Sequence, residues 1–201
     1  LDSASSRKLS WYAMREAYRP RVLHFSGVER KLILINDTDA PWHDMLNLHL
    51  VGKNGEVLEQ SSREVVLGPR SQASYELSDV FKAAEVSAID GYLVAELGEI
   101  RTARRIWDSA VQEVCGHNVT LLERVDGKQV QVLVQAECFI HELSILPELV
   151  AADHVTVSAQ RITLLPGESI NLVIECSNTE DAARVARDIE KITWSLNRLM
   201  N

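Results

Sequence analysis

Four glutamates are the first candidates for acid–base chemistry in this sequence. Two carboxylates held about 5 Å apart can divide the work of an acid and a nucleophile between them. The side chains considered are Glu29, Glu96, Glu99 and Glu113. Nothing in their spacing along the chain pairs any two of them. The spacing favours solvated surface positions, and we therefore predict no catalytic residue.

The histidines and cysteines lack the spacing of a metal site. Zinc ligands recur at short, defined separations, such as two histidines one helical turn apart. The six histidines are scattered: His24, His43, His49, His117, His141 and His154. No two cysteines lie within four residues of each other. Glycine-rich nucleotide loops and the Gly-x-Ser-x-Gly turn of serine hydrolases are also absent from the sequence. We therefore predict neither a metal ion nor a cofactor.

One loop carries residues that could recognise a sugar. In the loop at residues 41–44, Trp42 offers a ring that can stack on a sugar, and His43 offers an imidazole that can bond its hydroxyl groups. The competing interpretation is that Trp42 packs against a neighbouring domain. We keep Trp42 and His43 as possible sugar or interdomain contacts.

Composition and charge argue against several classes of partner. The chain has 201 residues and a formal net charge of −8, which disfavours nucleic acid because its binders neutralise phosphates with basic side chains. No apolar run approaches the ~20 residues of a membrane-spanning helix, so we predict no membrane partner. Three cysteines, Cys115, Cys138 and Cys176, are too few for a disulfide framework. We expect a buried thiol at Cys138 and, from the count, a reducing compartment such as the cytoplasm.

Helical periodicity is confined to the two ends of the chain. Apolar residues predict a short helix over residues 10–18, which Pro20 ends. Its apolar face carries Trp11, Met14 and Tyr18.

Near the C-terminus, a second helix is predicted from residue 179 to about residue 197. Ser177 and Glu180 have the spacing of a capping box, in which each side chain bonds the other's free backbone N–H. Apolar residues then recur at helical spacing.

The short segments between these helices predict a mainly β fold. Apolar and polar residues alternate, as in Leu46, Leu48 and Leu50, and turn signals such as Asp126-Gly127 separate the segments. At about 100 residues per domain, the length fits two tandem immunoglobulin-like antiparallel β-sandwiches. We place the first sandwich at residues 22–112 and the second at residues 113–201, with the C-terminal helical segment in the second.

Several stretches of the chain resemble family-2 glycoside hydrolases. Residues 10–23 (SWYAMREAYRPRVL) are similar to the end of the catalytic barrel in that family, and residues 34–38 (LINDT) resemble the first part of the sandwich that follows it. Residues 164–169 (LLPGES) resemble the last sandwich of β-mannosidases, and residues 194–199 (WSLNRL) are similar to short C-terminal segments of the same group. That last resemblance places the end of the tail helix near Lys191.

The resemblance implies that residues 1–21 are the tail of a catalytic barrel and that the rest is a non-catalytic C-terminal region of a β-mannosidase-like exo-glycosidase. In that group two glutamates on barrel strands carry out hydrolysis, and neither matches a position in this chain. We expect the sandwiches to brace the barrel through an intramolecular contact made by Trp11, Met14 and Tyr18. The carbohydrate substrate of the parent enzyme would bind to the barrel.

Two other classes compete with this interpretation. The chain could be an independent carbohydrate-binding or adhesion module of the immunoglobulin type, which would retain affinity for glycans when isolated. It could also be a small stand-alone enzyme, which the missing catalytic constellation disfavours.

Overall fold

The computed structural model describes residues 9–26, 31–52, 55–77, 81, 91–106, 118–150 and 154–199. The chain divides into two compact units. The first unit is Arg15–Gln112, and the second unit combines Leu1–Met14 with Glu113–Asn201. Each unit is built mainly from antiparallel strands, as the sequence predicts.

In the first unit, seven strands form two antiparallel sheets among the described residues. The strands are β1 (Arg21–Phe25), β2 (Lys31–Asn36), β3 (Trp42–Gly52), β4 (Val57–Leu67), β5 (Ser71–Glu76), β6 (Gly91–Leu97) and β7 (Ile100–Arg105). One sheet has the order β1-β2-β5, and the other has the order β4-β3-β6-β7.

Apolar side chains from both sheets of the first unit share one core. Alternate residues of β2 and β3 point inward because successive side chains of a strand face opposite sides of its sheet. The inward set includes Leu32 and Leu34 from one sheet and Leu46, Leu48 and Leu50 from the other, all at most 2% exposed. Burying one such side chain contributes about 1.5–3 kcal/mol, so these rows stabilise the packing of the two sheets.

Two tight hairpins depend on glycine. Gly98 follows β6 and Gly127 follows β8 (Val119–Asp126), with φ of +60° and +59° respectively. Glycine adopts this left-handed region without the steric cost of a Cβ atom. At Gly98 a Cβ would also lie 2.5 Å from the Oδ2 atom of Asp44. The sequence signal at Asp126-Gly127 thus marks a real hairpin.

Among its described residues, the second unit contains seven strands, three short α-helical segments and part of the N-terminal helix. The strands are β8, β9 (Gln129–Ala136), β10 (Ile140–Ile145), β11 (Thr156–Val157), β12 (Ile162–Leu164), β13 (Ser169–Glu175) and β14 (Thr193–Trp194). The sheets have the orders β11-β13-β9-β8 and β12-β10-β14. A 3₁₀ turn spans Pro147–Leu149.

The helix α2 (Thr179–Arg187) packs into the core of the second unit. Ala182 and Val185 are fully buried in the cluster that β9, β10 and β13 also form. The helix begins where the sequence predicts, but its cap is Asn178 rather than Ser177. The Asn178 side chain accepts a hydrogen bond of 2.8 Å from the backbone N–H of Asp181. Both residue types cap helices well, so sequence alone does not choose between neighbours.

After α2 the predicted long helix is interrupted. Two single-turn helices, α3 (Ile189–Ile192) and α4 (Leu196–Leu199), flank the short strand β14. The prediction of a helix to residue 197 is therefore wrong, whereas an end near Lys191 agrees with the structure. The helix is interrupted because residues 193–194 form strand β14, which pairs with β10. This is a tertiary contact, and helical spacing in the sequence does not reveal it.

The N-terminal helix α1 (Leu9–Ala17) matches its predicted position to within one residue, but its buried residue is not on the predicted face. Tyr12 is only 2% exposed, and its hydroxyl donates a 2.6 Å hydrogen bond to Oε1 of Glu148. Met14 and Tyr18 are 60% and 82% exposed. The part of α1 that precedes Arg15 is therefore held within the second unit.

The expectation of a free thiol at Cys138 is wrong. Cys138 is disulfide-bonded. Cys176 is a free, buried cysteine. Spacing could not reveal the bond, because disulfide partners meet through the fold and not through proximity in sequence.

Candidate functional site

The predicted sugar contact at Trp42 and His43 is divided between the core and the surface of the first unit. Trp42 is 4% exposed and belongs to the core, with the guanidinium of Arg21 5.5 Å from its ring centre. His43 is exposed, and its Nε2 lies 2.6 Å from Oε1 of Glu64. The indole of Trp42 packs within its own unit and leaves no open face beside His43.

The candidate carboxylates and histidines do not form a shared centre in the part of the chain that the structure describes. Glu96 forms an ion pair with Arg101 across neighbouring strands. Glu29 and Glu113 lie outside the described residues. Within those residues, no three of the side chains of His, Cys, Asp and Glu form a group that could hold a metal ion.

A pocket of about 350 Å³ lies on one face of β10 in the second unit. Leu143 and Ile145 of β10 point into the core, whereas Glu142, Ser144 and the adjoining Leu146 line the pocket. This division follows from the alternation of side chains along a strand. The pocket therefore occupies the face of β10 opposite the core.

Glu142 and Arg161 meet at this pocket as a two-point ion pair. The Nε atom of Arg161 donates a 3.2 Å bond to Oε2 of Glu142, and its Nη2 atom bonds Oε1. Each side chain is 28% exposed. The backbone N–H of Arg161 also donates to Oγ of Ser144, at 3.2 Å. Three lining side chains are thus held in fixed relation.

Both members of this pair have left-handed backbone conformations, with φ of +54° at Glu142 and +55° at Arg161. For residues with a Cβ atom such a conformation costs roughly 1–2 kcal/mol. At Glu142 it coincides with an irregularity in the pairing of β10 with β12, which bulges use to redirect a side chain. A partly exposed ion pair stabilises the folded state by about 0–1 kcal/mol, which is less than the two left-handed conformations cost.

The remaining walls of the pocket are apolar. They come from Leu146 and Leu149 beside the 3₁₀ turn, from Trp194 on β14, and from Leu196 on α4. Trp194 is placed by its register, because it pairs with Ser144 of β10. The surface of the pocket is thus almost entirely apolar, and the Glu142–Arg161 pair lies at its margin.

Nothing in the sequence predicts that Glu142 and Arg161 meet. Glu142 and Arg161 are 19 residues apart in sequence, and neither residue type signals a left-handed backbone. A bulge inside an otherwise regular strand pattern leaves no mark that periodicity would detect.

Of the side chains predicted to pack on a barrel, Trp11 and Met14 lie on α1 and Tyr18 directly follows it. Trp11 is partly buried and makes an edge-to-face contact with Tyr12, with ring centres 5.1 Å apart. Met14 on the helix and Tyr18 just after its last residue are exposed. Their packing against another domain stays a prediction. No helix among the described residues is long and apolar enough to cross a membrane.

Comparison with known proteins gives a likeness in fold. No protein-family model and no curated protein sequence matches the chain. Among solved structures, the exo-chitosanase CsxA of Amycolatopsis orientalis matches 91% of this chain and 26% of its own, with a TM-score of 0.60 and 14% identity. The β-D-mannosidase of Dictyoglomus thermophilum matches 92% of this chain and 22% of its own, with a TM-score of 0.59 and 10% identity. The chain thus spans about a quarter of the length of two glycosidases whose fold it shares over nine-tenths of its own length.

Proposed function

We propose that this chain is the non-catalytic C-terminal accessory region of a β-mannosidase-like exo-glycosidase, and that it braces the catalytic barrel. The observation that carries the proposal is the extent of the likeness in fold. Two glycosidases with different named substrates each match more than nine-tenths of this chain, yet the chain equals only about a quarter of each. A region shared by enzymes of different specificity is better suited to support than to substrate choice.

The exposed side of α1 supports a bracing role. Tyr18 and Met14 leave large apolar side chains in solvent beside a helix that Tyr12 anchors to the second unit. Burial of such a side chain against a neighbour contributes about 1.5–3 kcal/mol. In the proposed parent, α1 leads out of the barrel, and these two side chains would be covered by it.

The test is to express the reading frame that contains this chain and to follow it upstream of Leu1. We expect a barrel with two glutamates about 5 Å apart and hydrolysis of an aryl β-D-mannoside by the full-length protein. Residues 1–201 alone should show no hydrolysis, and removal of residues 22–201 should cost the parent its soluble, active form. An upstream region without such a barrel contradicts the proposal.

A single substitution tests the bracing contact itself. Tyr18→Ser should destabilise the full-length parent by about 1.5–3 kcal/mol, because it removes a side chain buried against the barrel. In residues 1–201 alone it should change stability by less than about 0.5 kcal/mol, since Tyr18 is there 82% exposed. Val66→Ser is the matched control, because Val66 is 68% exposed on β4. Equal effects of Tyr18→Ser in parent and chain would rule out a contact at this residue.

A further inference from the structure

We propose that Asn118 is a site of N-linked glycosylation. The acceptor pattern for an N-linked glycan is Asn-x-Ser/Thr, in which x is not proline. The sequence contains this pattern twice, at residues 36–38 (NDT) and at residues 118–120 (NVT). A three-residue pattern also arises by chance, so the surroundings of each asparagine must distinguish the two copies. The bracing role proposed above is not involved.

The disulfide at Cys138 favours the kind of compartment in which N-linked glycans are added. Disulfides form and persist in oxidising compartments, such as the lumen of the endoplasmic reticulum, and they are rare in reducing ones. N-linked glycans are attached to proteins that enter the same lumen. A chain that forms this bond therefore meets the transferase that reads the acceptor pattern.

The side chain of Asn118 is exposed immediately before β8. The backbone carbonyl of Asn118 accepts a 3.1 Å hydrogen bond from the backbone N–H of Glu137, so the backbone at this position is fixed. Thr120 is the third residue of the pattern, and its Oγ1 donates an exposed 3.0 Å bond to Oε1 of Glu137. An exposed amide at this position can carry a bulky glycan while the core of the second unit stays intact.

Asn36, the other candidate acceptor, is buried. It is 1% exposed, and its Nδ2 atom donates hydrogen bonds of 2.8 Å to the carbonyls of Ala40 and Gly68. A side-chain amide has two N–H donors, and both are used here. A glycan replaces one of these hydrogens, so it would remove one of the two bonds, and the buried position leaves no room for a sugar. A chain glycosylated at Asn36 is therefore unable to complete the first unit.

The reaction joins the amide of Asn118 to a sugar. The donor is an oligosaccharide held on a lipid through a pyrophosphate group. The Nδ2 atom bonds to the anomeric carbon of the donor, the bond between that carbon and the pyrophosphate oxygen breaks, and the lipid pyrophosphate leaves. The amide gives up one proton to a base of the transferase. Transfer takes place on the unfolded chain, so both acceptor patterns are offered, and folding then excludes molecules modified at Asn36.

A glycan at Asn118 would also shield the outer edge of β8. Among the described residues, β8 lies at one end of the sheet β11-β13-β9-β8, and its side chains Leu122 and Val125 are 59% and 46% exposed. A strand at the end of a sheet has unpaired backbone groups with which other strands can pair, and proteins commonly protect such edges. A bulky, solubilising glycan beside the first residue of β8 supplies that protection.

Peptide mapping of the secreted protein tests the site. The full chain is produced in cultured eukaryotic cells behind a cleavable signal peptide, and the soluble secreted fraction is treated with peptide-N-glycosidase F in H₂¹⁸O before digestion. This glycosidase releases the glycan and converts the modified asparagine to ¹⁸O-labelled aspartate. We expect the label at residue 118 and an unmodified Asn36. The proposal is overturned if residue 118 carries no label or if the soluble protein is labelled at residue 36.

Substitutions within the acceptor pattern supply the controls. Asn118→Gln and Thr120→Ala should each abolish the glycosidase-sensitive shift in electrophoretic mobility, whereas Thr120→Ser should retain it because serine also fits the pattern. Asn171→Gln is the matched control and should keep the glycan, since Asn171 is exposed on β13 outside either pattern. A mobility shift that survives Asn118→Gln contradicts the proposal. If a variant is not secreted, the peptide map of the wild-type protein decides. None of these results bears on the bracing proposal.

Discussion

At the scale of single residues, Asn197 shows how one side chain holds the C-terminal segment. It is fully buried, and its Oδ1 accepts from the backbone N–H of His141 at 2.8 Å, while its Nδ2 donates to the carbonyl of Phe139 at 2.9 Å. The amide thereby acts as a strand partner for the start of β10. Asn197→Ala would leave two backbone groups unsatisfied, at about 1–3 kcal/mol each.

We therefore expect Asn197→Ala to lower the free energy of unfolding by about 3 kcal/mol in urea denaturation. Asn171→Ala is the control, because Asn171 is exposed on β13. Equal losses in the two variants would show that the buried amide makes no special contribution.

Tyr92 gives a pH dependence with a definite sign. Burial raises the pKa of Tyr92 to about 12, although the positive charge of Arg105 opposes the shift. The folded chain then holds the phenol proton more tightly than the unfolded chain, whose tyrosines titrate near pH 10. The stabilisation is complete below about pH 10 and is lost as the pH rises towards 12.

Urea unfolding between pH 8 and pH 11 should therefore show a loss of stability, of order 1–2 kcal/mol, that Tyr92→Phe removes. Tyr18→Phe should retain the loss, since Tyr18 is exposed. A wild-type chain with the same pH dependence as Tyr92→Phe would be inconsistent with this role of Tyr92.

At the scale of elements, a hydrogen bond from Tyr12 to Glu148 attaches α1 to the 3₁₀ turn of the second unit. Tyr12→Phe removes the donor to Glu148 and should cost about 1–2 kcal/mol. Met14→Ala on the same helix is the control, because Met14 is 60% exposed. A double-mutant cycle with Glu148→Gln measures the coupling between the two side chains. Independent effects in that cycle would mean that the hydrogen bond does not hold α1.

The sequence predicts elements well where their pattern is local. The alternation in β3 and the glycine after β8 locate strands and a hairpin without tertiary information. The C-terminal helix is over-extended because helical spacing continues through β14, which pairs with β10 instead. On α1, spacing identifies Met14 as apolar but cannot show that Tyr12 is the residue that packs.

The candidate site is the least predictable feature. The sequence predicts Trp42 as a possible sugar contact because an aromatic ring in a loop can stack on a sugar, yet the indole of Trp42 is buried in the core. Glu142 and Arg161 form a pocket edge only through a bulge and two unusual backbone conformations. Such geometry is set by the packing of three strands and leaves no periodic signal.

At the scale of the whole molecule, the disulfide at Cys138 bears on where the protein folds. Such bonds form and persist in oxidising compartments and are rare in reducing ones. The count of three cysteines favours a reducing compartment, and the bond argues the opposite. Counting the reactive thiols distinguishes the two kinds of compartment. If the bond at Cys138 forms, Cys176 supplies the free thiol.

With protein purified from an oxidising compartment without reductant, we expect no reactive thiol in the folded chain, one in urea and three after reduction in urea. The folded chain should be unreactive because Cys176 is buried and because burial, with a smaller contribution from Asp181, raises the pKa of its thiol. Cys176→Ser is the control, and it should remove the single thiol seen in urea. Three thiols in urea before reduction would contradict the disulfide and restore the expectation of a reducing compartment.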